Sequence, residues 1–358
     1  MAEDTYLRSI FSFHKQLWQS YTESKQIKLP GEYSGVSNIV IAGMGGSIFG
    51  GLILKGAFSS ELKKPLALIS DYLLPAFADE NTLFIVSSCS GNTEETLGAL
   101  KEARGRRCKI VAISSGGKLG DYIKDNQIPG YIYDPEYNFD SKVPRTGIGY
   151  TAGSVLGIFS KLGLIEFSGT DIKALAEDIS SYVEFLKHDL AKASSLSSKF
   201  IGKIPVFISS EHTNCAGHIF RNFFNETSKN LAFNLQIPDM NHHFLDGLKY
   251  PADASSNFVF VFLESNLYHP RNKKRFEITK SVIQRSGYAE AVIKTSGKNK
   301  MLDIWEIIIL GCVVSYQLAL SHKVDPATNE MVNYLKSELG SFQADFHKGR
   351  GSSIPTIL

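Results

Sequence analysis

The chain has 358 residues, of which 43% are hydrophobic and 21% charged, with a formal net charge of +2. That length predicts two units, each able to bury its own core, and the near-neutral balance excludes the electrostatic footprint of a nucleic-acid-binding protein. Four scattered cysteines, Cys89, Cys108, Cys215 and Cys312, lack the paired spacing of a zinc site or disulfide framework, so reduced thiols in a soluble cytoplasmic protein are expected. The opening Met-Ala-Glu-Asp lacks a basic region followed by an apolar one, and no signal peptide is expected. The longest apolar stretch, residues 304–320, is interrupted by Glu306, Ser315 and Gln317 and reads as too short and too polar for a membrane span.

Taken in order, residues 5–25 carry Leu7, Ile10, Phe11, Phe13, Leu17, Trp18 and Tyr21 at helical spacing, predicting one leading amphipathic helix. Asn38–Ala42 is a buried-type strand, followed at once by Gly43-Met44-Gly45-Gly46-Ser47 and a helical pattern to about Phe58. Residues 66–70 and 83–86 predict the next strands, the latter with a helix to about Arg104, and residues 109–114 and 130–133 two more. Pro144 opens a segment leading into a helix through Leu162, and residues 170–199 read as one long helix bridging two halves.

In the second half, strand-helix pairs are predicted at 204–209 with 215–229, 257–263 with 271–285, and 289–294 with 301–320; Pro326 is expected to open a last helix through Leu339. Strands alternating with helices imply parallel sheets covered on both faces. The units beginning at Asn38 and Pro205 are similar in length, as are those beginning at Thr82 and Asn257. This predicts two copies of one α/β unit, of which only the first keeps its glycine and hydroxyl loops.

Those loops carry the first chemical signal. Ser87-Ser88-Cys89-Ser90-Gly91-Asn92-Thr93 runs from a strand into a helix start, where Asn92 or Thr93 is a candidate cap and Glu95 or Thr96 a capping-box partner. Backbone N–H groups, hydroxyls and the helix dipole converge there on one point, a candidate phosphate seat. In a parallel α/β sheet, ligands bind beyond the carboxyl ends of the strands where strand order reverses, and both loops fall at that edge. A dinucleotide fingerprint fits poorly: Gly43-x-Gly45 and Asp71 are in place, but Ile48 stands where the third glycine belongs. A Walker loop is excluded, because no Gly-Lys-Ser/Thr follows the glycines. Neutral donors at Gly46, Ser47, Ser88, Ser90 and Thr93 without a lysine suit a monophosphate dianion, as on a sugar phosphate. The pair His242-His243 invites a metal reading, but adjacent side chains diverge and no third ligand stands at ligand spacing, so no metal is expected.

Together with Pro144-Arg145, Asn225-Glu226, Asn241-His242 and Asp325-Pro326 followed by Leu335-Lys336, these motifs resemble the sugar isomerase (SIS) fold and, within it, the bifunctional phosphoglucose/phosphomannose isomerase family. The resemblance covers almost the whole chain. It implies an α/β protein of two three-layer SIS domains with parallel sheets, residues 1–165 with the phosphate loops and 166–358 with the catalytic residues and a closing helix. It also implies a cytoplasmic homodimer that needs no cofactor and no metal, acts on a small sugar phosphate, and has neither nucleic acid nor membrane as partner.

By position, the resemblance implies that Gly46, Ser47, Ser88, Ser90 and Thr93 bind the substrate phosphate, and that Arg145, Glu226, His242 and Lys336 serve the sugar. The expected reaction interconverts glucose 6-phosphate, and mannose 6-phosphate, with fructose 6-phosphate through an enediol. Glu226 is the expected base, Arg145 steadies the enediolate, His242 moves the proton that opens the ring, and Lys336 polarises the ring oxygens. Two other readings fit the same phosphate loops: a non-catalytic sugar-phosphate-binding regulator, which has no use for Glu226, His242 or Lys336, and an isomerase of another sugar phosphate. The chain departs from the family's usual residues at Cys89, Gly147, His243 and the Ala327-Thr328-Asn329 segment.

Overall fold

A computed structural model of the protein describes residues 4–139 and 143–340; the remaining parts of the two expected segments, 1–3, 140–142 and 341–358, lie outside the described residues. The chain opens with α1 (Thr5–Phe11) and α2 (Phe13–Ser24). The single leading helix expected from the apolar spacing is broken at Ser12, whose φ of -102° and ψ of 8° leave the helical region and let its carbonyl start α2 afresh. There follow β1 (Asn38–Ala42), the 3-10 turn Gly45–Ile48 with α3 (Phe49–Phe58), β2 (Leu66–Ile69), β3 (Thr82–Ser88), α4 (Glu94–Gly105), β4 (Lys109–Ser114), α5 (Gly117–Asn126) and β5 (Gly130–Ile132). These strands form one parallel five-stranded sheet in the order β2-β1-β3-β4-β5.

The 3-10 turn Pro144–Gly147 leads into α6 (Ile148–Lys161), and α7 (Gly169–His188) and α8 (Leu190–Ser198) come next. One bridging helix over 170–199 was expected; Asp189 divides it, because its carboxylate caps the new helix by accepting the Lys192 N–H at 3.2 Å. The second sheet comprises β6 (Ile204–Ser210), with α9 (Asn214–Thr227) behind it, β7 (Phe233–Ile237), β8 (Phe258–Glu264), α10 (Pro270–Arg285) and β9 (Ala289–Lys294), in the parallel order β7-β6-β8-β9. Its order matches that of the first four strands of the first sheet, β2-β1-β3-β4. β7 was not foreseen: as a largely exposed edge strand it lacks the continuous apolar run that marks the others.

The last helices are α11 (Lys300–His322) and α12 (Glu330–Leu339). Pro326 does not open α12, because residues 325–329 form a separate turn whose carbonyls are taken by side chains of the site described below. α11 is long and apolar enough to cross a membrane, yet 78% of its apolar window is buried.

Alternation within strands decides which side meets which layer. In β6, Phe207 joins the main core with Phe220, Phe224 and Trp305, while Val206 and Ile208 face a smaller cluster under α10. The main core is continuous from Ile10 and Phe13 through Tyr150 to Trp305 and Ile308, so the helices between the two sheets share one interior. α2 and α6 approach unusually closely: a Cβ on Gly153 would sit 2.1 Å from Ser20 Oγ and 2.4 Å from Leu17 O. α3 and α9 pack antiparallel, with Gly56 against His212 and Cys215 while the Phe49 ring meets His218 edge-on at 6.3 Å. The carboxyl edge of the first sheet is thereby brought beside the amino edge of the second. A crevice at that junction can draw residues from both halves.

Candidate active site

The two loops predicted to hold an anion follow β1 and β3, the adjacent strands at which strand order reverses. Gly45 opens the first loop with φ +51°, and Ser47 Oγ accepts the N–H of Cys89 at 3.1 Å, joining the loops directly. In the second loop Ser88 is fully buried and donates to Thr93 Oγ1 at 3.1 Å, while Ser90 Oγ accepts the Asn92 N–H at 3.3 Å. Thr93 occupies the N-cap of α4 in extended geometry, but its side chain makes no capping bond and no capping box forms. Its hydroxyl and the first-turn N–H groups of α4 therefore remain for a ligand. Gly46, Ser47, Ser90 and Thr93 line the seat; Ser88 braces it from inside.

Arg145 reaches this seat from the turn Pro144–Gly147, where Gly46 packs so that a Cβ there would lie 3.5 Å from the Arg145 Cα. The turn is fixed by Gln16, which donates to Thr146 O at 3.0 Å and accepts the Gly149 N–H at 3.2 Å, and by a 2.8 Å bond from Thr146 to Asn138. Arg145 is only 4% exposed, and its guanidinium points into the second half, 3.5 Å from the Glu226 carboxylate. Its Nη1 also donates to Asn329 Oδ1 at 3.3 Å and its Nη2 to Pro326 O.

Glu226 stands in the last turn of α9, at the amino edge of the second sheet; just beyond it Asn230 bonds to Lys203 O, immediately before β6. Burial pushes the Glu226 carboxyl above its ordinary value, against the opposing pull of Arg145, Lys229 and Lys336. A carboxylate so placed is a stronger base than one in water and sits among cations that stabilise an adjacent oxyanion. Lys229 donates to Glu226 O and to Thr328 O, each at 2.6 Å; burial, with Arg145 nearby, lowers its own pKa. Arg145 and Lys229 together pin the 325–329 turn, from which α12 carries Lys336 toward Glu226.

A chain of contacts thus links Gly46 to Arg145, Arg145 to Glu226 and Glu226 to Lys336, with Ser47 tied to the loop that carries Ser90 and Thr93. His242 is not among them. It ends the 3-10 turn Asp239–His242 after β7 and faces a cavity of about 760 Å³ beside Ser210, Glu211 and Asn214. Asn214 begins α9 and Glu226 lies near its other end, about 18 Å away at about 1.5 Å per residue. Within one chain His242 therefore stands at the opposite edge of the second sheet from Glu226.

Several residues of the site escaped sequence reading. Ser114 and Ser115 at the end of β4 donate to Ser88 O and Cys89 O at 2.8 and 2.7 Å and hold the hydroxyl loop in place. Their Ser-Ser-Gly-Gly run after a strand repeats the signal used for the two other loops. Tyr6 and Thr227, which with Asn329 surround Arg145, carry no comparable signal; Asn329 belongs to the 327–329 segment already set apart by its departure from the family.

The family model described as the bacterial phospho-glucose isomerase C-terminal SIS domain matches residues 190–339. The chain is similar to a bifunctional phosphoglucose/phosphomannose isomerase of Caldicellulosiruptor bescii, with 30% identity over 340 residues, 94% of this chain and 99% of that protein. It is also similar to the protein of the same name from Aquifex aeolicus, with 31% identity over 302 residues, 84% of this chain and 90% of that one. Among solved structures, the tagatose-6-phosphate ketose/aldose isomerase of Escherichia coli superposes with a TM-score of 0.71 at 16% identity, covering 91% of this chain and 95% of that one.

Proposed function

Because the chain belongs to the bifunctional phosphoglucose/phosphomannose isomerase family, we propose that it interconverts glucose 6-phosphate and mannose 6-phosphate with fructose 6-phosphate at the crevice between its two halves. The observation that carries this reading is the chain of contacts joining the two halves. Gly46 packs on the Arg145 backbone, and the Arg145 guanidinium meets Glu226, which supports a phosphate seat and a raised-pKa carboxylate acting on one substrate.

In this reading Ser47, Ser90, Thr93 and the N–H groups of the loops hold the dianion, with Ser88 supporting them. Glu226 takes the proton from C2 of the open aldose, giving an enediolate whose negative charge on O1 Arg145 steadies; the hydroxyl proton passes from O2 to O1, and Glu226 returns its proton to C1 to complete the ketose. Lys336 holds the sugar oxygens from α12. The division into residues 1–165, which bind the phosphate, and 166–358, which supply the base, belongs to the same proposal, as does a cytoplasmic location.

His242 is assigned to ring opening, since an imidazole can both accept and donate a proton. Since it lies about 18 Å of helix from its own Glu226, it is assigned to the site of a second copy, making the functional unit a homodimer. A coupled assay of the purified, EDTA-treated protein with glucose and mannose 6-phosphates tests the activity; absence of fructose 6-phosphate from both refutes it. Mixing E226Q with H242A chains tests the shared site. Random exchange into two-fold dimers restores roughly a quarter of wild-type activity if each site takes one residue from each copy, and none if both come from one chain.

A further inference from the structure

We propose that Tyr6, on the N-terminal helix α1, is a positioning residue for this reaction, its hydroxyl tying Arg145 to Thr227 and so setting the spacing between the arginine and Glu226. The inference rests on the reading that Arg145 and Glu226 act on the sugar.

Three parts of the chain distant in sequence meet at one oxygen. Tyr6 Oη lies 2.7 Å from Thr227 Oγ1, and Arg145 Nε donates to both oxygens, at 3.3 Å to Tyr6 and 3.2 Å to Thr227. All three side chains are buried: Tyr6 and Thr227 are 2% and 0% exposed, and Arg145 4%. Thr227 follows Glu226 directly, so the bond from Tyr6 fixes the end of α9 that carries the carboxylate. The Nε anchor, in turn, sets the plane of the guanidinium, which turns Nη1 toward Glu226 and Asn329.

Tyr6 itself is held on two sides. Its ring stacks on Tyr316 with centroids 5.6 Å apart and planes 21° from parallel. Asp4 caps α1 by accepting the Tyr6 N–H at 2.8 Å, and its second oxygen accepts the Tyr316 hydroxyl. Burial pushes the Tyr6 phenol up to about 12, so across the working range it stays protonated. It accepts from Arg145 and shares with Thr227 a hydrogen bond in which either hydroxyl can donate. Filling the core needs only the ring; the hydroxyl is left over for the arginine.

The groups facing Glu226 are Arg145, Lys229 and Lys336; those facing Tyr6 are Arg145 and Cys312, with Asp4 reached through Tyr316. Arg145 is the one charge common to both sets. Loosening Arg145 weakens the cation that opposes the burial of Glu226, while Lys229 and Lys336 stay in place. The acid limb of the pH-rate profile, set by ionisation of Glu226, then moves to higher pH.

The test compares Y6F, T227V and the double variant with wild type in kcat, KM, the pH dependence of kcat and thermal melting, with E226Q in the same assay. Y6F keeps the ring and is expected to hold KM within about twofold and lose about tenfold in kcat, the scale of one hydrogen bond to a charged group, with its acid limb shifted upward. Y6F/T227V leaves Nε with no acceptor, so its loss should exceed the product of the two single losses. A folded Y6F with wild-type kcat and acid limb overturns the proposal, as does a loss of kcat that follows a lowered melting temperature with no change in the pH profile. Should Y6F fail to fold, T227V with an unmoved acid limb overturns it equally. Full turnover by E226Q would instead refute the reading of the site, and the proposal with it.

Discussion

The carboxyl edges of the two sheets share a backbone plan and differ in what fills it. After β1 the chain turns through Gly45 at φ +51°, and after β6 it turns through Glu211 at φ +47°, each opening a 3-10 turn that leads into a helix. In the first sheet the adjoining loops are joined by a neutral contact, the Ser47 hydroxyl with the Cys89 N–H, and α4 has no side-chain cap, although Glu94 and Glu95 stand in its first turn. In the second sheet carboxylates take up the loop donors directly. Glu211 Oε1 accepts the His269 N–H and an Asn272 amide N–H, each at 2.8 Å, at the start of α10. Asp303 reaches in from α11 to join His212, at 3.1 Å, with Ser265. A helix N-terminus favours negative charge whatever its source. In the proposed reading the first copy keeps that place for a substrate phosphate, while the second sets the Glu211 and Asp303 carboxylates at its carboxyl edge and carries Glu226 at its amino edge.

The sharpest way to break this division of labour is to remove the base and leave the seat. E226Q is expected to lower kcat by about a thousandfold, within the range of general-base catalysis, while a phosphate ligand still stabilises the protein in a thermal-shift measurement. Substantial turnover would take the chemistry away from the second half. The next largest effect comes from giving the first sheet the residue of the second. G45E should fold, since Glu211 occupies the same backbone conformation, and should lose about a hundredfold in kcat/KM through like-charge repulsion of the dianion. Wild-type kcat/KM in a folded G45E would move the phosphate elsewhere.

The contrast between the edges was partly legible in the sequence. Glycines and hydroxyls directly after apolar strands mark the first seat, because only small residues and exposed N–H groups can cradle an anion closely. The interrupted helices at Ser12 and Asp189 were hidden, because apolar periodicity continues across a break that one residue's backbone or cap decides. Glu211 was silent for a different reason: a positive φ at a non-glycine residue leaves no mark in the sequence. Tyr6 and Thr227 look like ordinary members of amphipathic helices, and their role depends on a contact between residues 221 positions apart. The Pro326 turn misled through a sound rule, since proline favours the first helical turn, and here its carbonyl was wanted by Arg145.

A smaller effect separates the catalytic carboxylate from the structural ones. The pKa of Glu226 is raised in the folded protein above its ordinary value of 4.5, so the folded state holds the proton more tightly than the unfolded chain. A group with that sign contributes its stability below the unfolded pKa and loses it as pH rises through the folded one. At neutral pH the Glu226 charge therefore opposes folding. E226Q should melt above wild type at pH 7, with the gap closing toward pH 4, and thermal melts at the two pH values decide it; a lower melting temperature at pH 7 would mean that the three cations outweigh burial.

The smallest expected change tests the second edge itself. E211G restores the residue that the first sheet has at this turn and removes the acceptor for His269 N–H and Asn272. Relief of the left-handed backbone at residue 211 offsets part of the lost hydrogen bonding, leaving a net destabilisation of about 1 kcal/mol. Isomerase kcat/KM should fall no more than a few-fold: Glu211 lies at the far end of α9 from its own Glu226, but it lines the cavity that His242 faces and so borders the site assigned to the second copy. The emptied edge still keeps Asp303 between His212 and Ser265, a second carboxylate that repels a dianion. Titration of E211G with inorganic phosphate should thus show binding at the first seat alone, abolished when G45E is added. A second phosphate retained in the double variant would show that Glu211 alone had closed an otherwise competent site, and that the two edges differ by one residue where the structure makes them differ by two carboxylates.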